Sequence, residues 1–122
     1  LVIILAGYEN HESERDLQHL INGGHNPGLP SRFTHWIRFP DYQPDELLEI
    51  AKRMVAAKRF QLSDGAFKAL RDERLTSPLQ GNARDVENII NNAISRLNVR
   101  VDALSFVEDD NLVTLTCEDV VI

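Results

Sequence analysis

Two arginines in glycine-containing, turn-like surroundings are the residues of this sequence best suited to chemistry. Arg32 follows the segment Pro-Gly-Leu-Pro-Ser, and Arg84 ends the segment Gly-Asn-Ala-Arg that begins at Gly81. A guanidinium is permanently charged and planar, and it can bind two phosphate oxygens at once. The stiff, proline-containing loop before Arg32 reduces the entropy that its side chain loses on docking. Together the two segments indicate a phosphate clamp.

The loop that normally wraps nucleotide phosphates is missing from this sequence. No segment reads Gly-x-x-x-x-Gly-Lys-Ser/Thr, and no glycine precedes any of the lysines, which are Lys52, Lys58 and Lys68. The two arginines therefore predict only part of a nucleotide site. Simpler interpretations remain open for both. Arg32 can be a surface residue that ends a loop, and Arg84 can be a solvated first-turn residue paired with Asp85 or Glu87.

Composition and charge narrow the classes of protein that fit. With 43% hydrophobic and 26% charged residues among 122, the sequence is typical of a globular protein with room for about one domain. The net charge of −6 argues against a nucleic-acid surface, which needs an electropositive face. Cys117 is the single cysteine, so no internal disulfide is possible, and we expect it to be a half-buried hydrophobic residue. No metal site and no membrane insertion are expected, because the histidines are scattered and the longest apolar run is short.

The first third of the sequence has an α/β pattern. Leu1–Gly7 is an unbroken apolar run, which predicts a strand buried on both faces of a parallel sheet. Such a strand needs neighbours, so we expect further chain upstream. Glu9–Ile21 predicts a helix, Asn22–Ser31 a loop, and the alternation in Phe33–Phe39 a short strand.

The rest of the sequence has a helical pattern. A proline-containing turn at 40–44 separates it from the first part, and we divide the domains as 1–41 and 42–122. Apolar residues at helical spacing predict three helices, which are Asp45–Arg59, one that begins after the N-cap Ser63, and Asn82–Leu97. Residues 98–106 either extend the third helix or form a strand. A turn at Glu108–Asn111 and a short final helix around Glu118 complete the prediction.

Four segments, taken together and in order, resemble a known family. They are Leu1–Tyr8, Asn26–Phe33, Phe39–Ala51 and Gly81–Arg84. The series is similar to the C-terminal half of an AAA+ ATPase, in the subgroup of red-type rubisco activase (CbbX/CfxQ), stage V sporulation protein K and the ATPase of type VII secretion systems. The resemblance covers residues 1 to 98. It implies the end of a P-loop α/β core (parallel-sheet strand, helix, short strand) followed by a mostly α-helical AAA+ lid.

The resemblance also assigns roles to the two arginines. Arg32 matches the arginine finger, which reaches the γ-phosphate held by a neighbouring subunit. Arg84 matches sensor 2, which projects from the lid onto the nucleotide of its own subunit. Gly81 and Asn82 belong to the same nucleotide-binding turn, where Asn82 is suited to cap the helix.

Other residues have less specific assignments. Tyr8 and Asn10 fall in the sensor-1 region, although many family members have an asparagine where Tyr8 stands. Ile50 lies on the adenine side by resemblance, with a place in the hydrophobic core as the alternative. Trp36 and Tyr42 suit either nucleotide stacking or packing between subdomains, and we favour packing.

The implied function is ATP-driven remodelling of a protein substrate. ATP and Mg²⁺ would be the cofactors of the complete protein, and neighbouring subunits of a hexameric ring its partners. The resemblance implies an intracellular, soluble location, in cytoplasm or in organelle stroma or matrix. We do not expect this fragment alone to hydrolyse ATP, because the Walker A and Walker B motifs are absent from it. A different class remains open: a non-catalytic helical interaction module derived from an AAA+ lid.

Overall fold

The chain divides into two compact units, Leu1–Phe39 and Pro40–Ile122. A computed structural model describes residues 1–7, 17–23, 27–104 and 108–121. The described residues are mostly helical, with one short two-stranded parallel sheet. The predicted fold class was an α/β remnant followed by a mostly helical lid, and the helices of Pro40–Ile122 confirm the lid.

The described residues of the first unit form two short helices that contact each other. Helix α1 is Leu17–Asn22 and helix α2 is Leu29–Arg32. The side chain of Ile21 is buried, and Gly7 lies close to the side chain of Leu17. Helix α1 overlaps the end of the helix predicted at Glu9–Ile21, and residues 9–16 of that prediction lie outside the described residues.

Three local predictions for the first unit were wrong. Leu1–Gly7 and Phe33–Phe39 form no strand, and nearly all of their side chains are exposed. A strand needs hydrogen-bonding neighbours to be stable, and among the described residues strand pairing is found only between Gln61–Leu62 and Thr114–Leu115. The predicted loop at Asn22–Ser31 is also interrupted, because Leu29–Arg32 is helical. Pro30 in the first turn of that helix has its φ angle fixed near the helical value.

The second unit is built around two long helices. In chain order its elements are α3 (Pro44–Ala57), β1 (Gln61–Leu62), α4 (Asp64–Ala69), a π-helical segment (Leu70–Arg74), α5 (Ala83–Asp102), α6 (Asp109–Val113), β2 (Thr114–Leu115) and α7 (Cys117–Val120). Helix α3 packs on α5, and α7 packs on both α4 and α5. The two strands are parallel, with Gln61 opposite Thr114 and Leu62 opposite Leu115.

The core of this unit follows the apolar stripes of the sequence. Its fully buried large side chains are Leu47, Leu70, Leu75, Val86, Ile90, Leu97, Leu115 and Val120. In α5, the buried positions recur every three or four residues, which places them on one face of the helix. Burying each such side chain stabilises the fold by about 1.5–3 kcal/mol relative to leaving it exposed.

The helix start predicted at Ser63 is confirmed. The Ser63 hydroxyl accepts a hydrogen bond from the Ala66 amide at 3.1 Å, as expected of an N-cap. At the start of α3, the Gln43 amide donates to the Glu46 carboxylate at 2.8 Å. Helix α5 continues to Asp102, so residues 98–102 extend the helix. The predicted turn at Glu108–Asn111 was wrong, since α6 begins at Asp109, and the predicted final helix is confirmed as α7.

Candidate functional site

Arg84 lies in the first turn of α5 and is exposed to solvent. Its backbone amide donates to the carbonyl of Gly81 at 3.0 Å. Its guanidinium makes no hydrogen bond or ion pair with any other described residue. The pairing with Asp85 or Glu87 that the sequence left open is therefore absent from the described chain. An uncompensated cation beside the positive end of a helix dipole favours an anionic ligand.

Gly81 and Asp85 close the turn that carries Arg84. The Gly81 amide donates to the Asp85 carboxylate at 2.8 Å. A Cβ atom at residue 81 would overlap that carboxylate, so glycine lets Asp85 approach the backbone. Asp85 is thereby committed to the backbone of the turn and leaves the neighbouring guanidinium of Arg84 unpaired.

Asn82 has an unusual backbone and an unexpected set of partners. Its φ and ψ angles are 49° and −125°, which are those of the second residue of a type II′ turn. Asn82 precedes α5 at the N-cap position, yet its side chain makes no capping hydrogen bond, so the predicted cap was wrong. The side-chain oxygen instead accepts from the Tyr42 amide at 2.8 Å, and the side-chain nitrogen donates to the Asp41 carboxylate at 2.8 Å.

Arg32, in the first unit, ends α2 and is exposed. Its Nη1 donates to the carbonyl of Gly28 at 2.9 Å, and the hydroxyl of Ser31 donates to the same carbonyl at 3.0 Å. A guanidinium has five N–H donors, so this single bond from a terminal nitrogen leaves most of them available.

The other predicted site residues have mixed outcomes. Ile50 is half-buried and packs against the hydrophobic core, which fits the core interpretation. Trp36 and Tyr42 are exposed in their own units. Tyr8 and Asn10 lie outside the described residues. Cys117 is exposed, so the expectation of a half-buried residue was wrong.

One buried ionic cluster was not predicted from the sequence. The Asp119 side chain is only 2% exposed, and both of its oxygens accept from Arg100, at 2.8 and 3.1 Å. Arg96 donates to the backbone carbonyl of Asp119 at 2.9 Å, and the Thr116 amide donates to its carboxylate at 2.8 Å. The four-residue spacing of the two arginines on α5 and the pattern Thr-x-x-Asp at the start of α7 were the available signals.

The contacts between Arg100 and Asp119 shift the pKa of each residue so that its charged form is favoured. Burial alone would raise the pKa of Asp119, but hydrogen bonds from Arg100 and Thr116 outweigh it and hold that pKa below the ordinary value of 3.8. The hydrogen bond to Asp119 raises the pKa of Arg100. Because the charges of Arg100 and Asp119 compensate each other, we interpret this pair as a structural feature of the fold.

Within residues 1–7, 17–23, 27–104 and 108–121, no three His, Cys, Asp or Glu side chains group as metal ligands do. None of the helices in that part of the chain has both the length and the apolar character needed to cross a bilayer.

Comparison with known proteins shows the family of the chain. Residues 43–122 match the family model described as AAA lid domain. The chain is 36% identical to the chloroplastic ribulose bisphosphate carboxylase/oxygenase activase of Cyanidioschyzon merolae, with 98% of this chain and 40% of that protein covered. It is 37% identical to the chromosomal protein CbxX of Cupriavidus necator, covering 98% and 37% of the two chains. It is 40% identical to stage V sporulation protein K of Bacillus subtilis, covering 82% and 31%.

These matches confirm the resemblance that the sequence motifs indicated. The identity extends over nearly the whole chain for the first two relatives. The chain spans about two fifths of the length of these relatives or less.

Proposed function

Because the chain belongs to the AAA lid domain family, we propose that it works as part of an AAA+ ATPase that couples ATP hydrolysis to remodelling of a protein substrate. The relatives support this proposal, since one of them is named as an activase of an enzyme, rubisco. We propose ATP with Mg²⁺ as the cofactor of the complete protein. We propose that the substrate is a protein, because the name of this relative describes an activase that acts on an enzyme.

The observation that carries the proposal is the uncompensated guanidinium of Arg84. It is exposed at the start of α5, and its neighbour Asp85 is already bonded to the backbone of Gly81. In the proposed role of sensor 2, Arg84 binds the phosphates of the nucleotide in its own subunit. Its affinity then depends on the phosphates present, so the position of the lid responds to hydrolysis. We propose that Gly81 and Asn82 shape this turn, and that Ile50 lies towards the adenine.

Arg32 is proposed to be the arginine finger that acts on the neighbouring subunit. It is exposed, and the Gly28 carbonyl holds only one of its donors. A guanidinium placed on the γ-phosphate stabilises the charge that develops there during phosphoryl transfer, an effect of about three to five orders of magnitude in rate. Because the finger comes from a neighbour, hydrolysis would depend on ring assembly. We propose that the ring is a hexamer. We also propose that Tyr8 and Asn10 lie in the sensor-1 region of each subunit.

The same family supports a proposed location. We place the complete protein inside the cell, in cytoplasm or in an organelle stroma or matrix, since one relative is chloroplastic and others are bacterial. Its partners would be the neighbouring subunits of the ring. Neither a nucleic acid nor a membrane is proposed as a partner.

The proposal is tested by Arg84→Ala in the complete protein. We expect steady-state ATP turnover to fall at least about tenfold, with assembly unchanged by size-exclusion chromatography, because a charge-assisted phosphate contact is lost. The matched control is Arg53→Ala, which removes an exposed arginine whose partner is Glu49, and which should change turnover less than twofold. Equal turnover for Arg84→Ala and the unsubstituted protein would refute the role of Arg84.

A further inference from the structure

The backbone at residue 82 favours glycine, yet the residue is asparagine. The Arg84 amide donates to the Gly81 carbonyl and closes a type II′ turn. Asn82 occupies the second position of this turn with a φ of 49°. That position is most easily adopted by glycine, because a Cβ atom is crowded there. If the turn alone were required, glycine would be the better residue. The side chain of Asn82 must therefore contribute something that offsets the backbone strain.

That contribution is a bridge across the chain. The Asn82 amide binds Asp41 with its nitrogen and the backbone of Tyr42 with its oxygen, each at 2.8 Å. The bridged groups are 40 and 41 residues away in sequence. We refer to these three residues as the Asn82 bridge. All of them belong to the unit Pro40–Ile122.

The Asn82 bridge joins the beginning of the unit to the turn that carries Arg84. Asp41 and Tyr42 directly precede α3, whose start is fixed by the bond from the Gln43 amide to Glu46. Helix α3 in turn packs on α5. The segment that leads into α3 and the first turn of α5 are therefore held together both by helix packing and by the bridge.

We propose that Asn82 is a positioning residue, which fixes the turn bearing Arg84 to residues 41–42 directly before α3 and so sets where the Arg84 guanidinium is presented. The part of this inference that concerns nucleotide rests on the proposed function of Arg84. The bridge itself does not, and it can be tested separately. A movement of the segment at residues 41–42 would be transmitted directly to the turn through two hydrogen bonds.

The first experiment tests the bridge without reference to activity. Asn82→Gly keeps a residue that tolerates the turn and removes both side-chain bonds. We expect the amide hydrogen of Tyr42 to exchange at least about fivefold faster in the complete protein, because it loses its acceptor. The matched control is Asn92→Ala, an exposed asparagine within α5, which should leave that exchange rate unchanged. An unchanged rate in Asn82→Gly would overturn the inference.

The second experiment tests whether the bridge acts through Arg84. Asn82→Asp places two carboxylates together and should lower ATP turnover at least about threefold. Adding Asp41→Asn reverses the direction of the hydrogen bond between the side chains at 41 and 82. The new amide at residue 41 donates to the new carboxylate at residue 82, and that carboxylate still accepts from the Tyr42 amide. The double variant keeps the net charge of the original pair, and we expect it to recover most of the turnover. Failure of the double variant to recover would overturn the inference.

A comparison of variants separates this inference from the proposed function. In an Arg84→Ala background, Asn82→Gly should cause no further loss of turnover, because the bridge acts through the missing guanidinium. If Arg84→Ala has no effect on turnover, the proposed role of Arg84 fails and the nucleotide part of the inference fails with it. If Arg84→Ala lowers turnover but Asn82→Gly and Asn82→Asp do not, the inference fails alone.

Discussion

Arg100 and Asp119, nineteen residues apart, form a two-pronged ion pair with N–O distances of 2.8 and 3.1 Å. The aspartate is buried and the arginine is partly exposed. Thr116 completes the carboxylate's hydrogen bonds, and Arg96 binds the backbone carbonyl of the same aspartate. These bonds fix the last helix, α7, to the face of α5. The position of the C-terminal segment thus depends on ionic contacts as well as on the buried side chains of Leu115 and Val120.

We expect Asp119→Ala to destabilise the chain strongly. Removing one partner of a buried pair leaves the other charge without compensation, at a cost of about 3 kcal/mol. Chemical denaturation followed by circular dichroism measures the change. Glu49→Ala is the matched control, because it breaks an exposed ion pair, to Arg53, and such pairs contribute little. Similar losses of unfolding free energy in the two variants would show that the buried Arg100–Asp119 pair stabilises the fold no more than an exposed pair does.

The same pair predicts a dependence on pH. The pKa of Asp119 is lower in the folded chain than its ordinary value of 3.8. Its contribution is therefore complete above that value and is lost as the pH falls through the lower folded pKa. We expect the destabilisation caused by Asp119→Asn to be largest near neutral pH and to shrink below about pH 4. Urea unfolding of the unsubstituted protein and of Asp119→Asn at a series of pH values measures this destabilisation. A difference in unfolding free energy that stays constant down to pH 3 would contradict a lowered pKa for Asp119.

Ser63 provides a test of the helix capping. Its hydroxyl accepts from the Ala66 amide at the start of α4, so Ser63→Ala should reduce the free energy of unfolding by about 1 kcal/mol. Ser95 is a suitable control, since its hydroxyl donates to a backbone carbonyl within α5. Ser95→Ala should change stability by less than about 0.5 kcal/mol. A loss in Ser95→Ala as large as that in Ser63→Ala would argue against the cap.

The sequence predicted the helices of the second unit because their stability comes from local patterns. The stripe of Val86, Ile90 and Leu97 has the period of a helix, and the structure buries all three side chains. Ser63 was identified in the same way, since an N-cap is formed by residues close in sequence. Such features depend on contacts over a few residues, and a single sequence contains that information.

Features that depend on distant partners were not predicted. The apolar run Leu1–Gly7 has the composition of a buried strand, but a strand forms only with neighbours that the sequence pattern does not supply. Asn82 looked like a helix cap, whereas its partners are about 40 residues away, at Asp41 and Tyr42. The burial of Asp119 likewise depends on how α7 packs on α5.

The predicted roles of the two arginines depend on a nucleotide and on a neighbouring subunit. The structure describes an exposed Arg84 without a partner among the described residues, and an exposed Arg32 bonded once to Gly28. Both arrangements are compatible with phosphate binding. The assignment of the arginine finger and of sensor 2 therefore stays a prediction that activity measurements must test.

The most direct test of the proposed ATPase is turnover of the complete protein carrying Arg32→Ala, with Arg38→Ala as an exposed arginine control in the same unit. We predict that Arg32→Ala retains ATP binding and assembly but loses at least about a hundredfold in turnover, and that Arg38→Ala stays within twofold. Mixing Arg32→Ala subunits with subunits that cannot bind ATP but keep Arg32 should restore part of the turnover. Full turnover in Arg32→Ala, or a complete protein that neither binds nor hydrolyses ATP, would contradict the account, and the second result would leave a non-catalytic interaction module as the function.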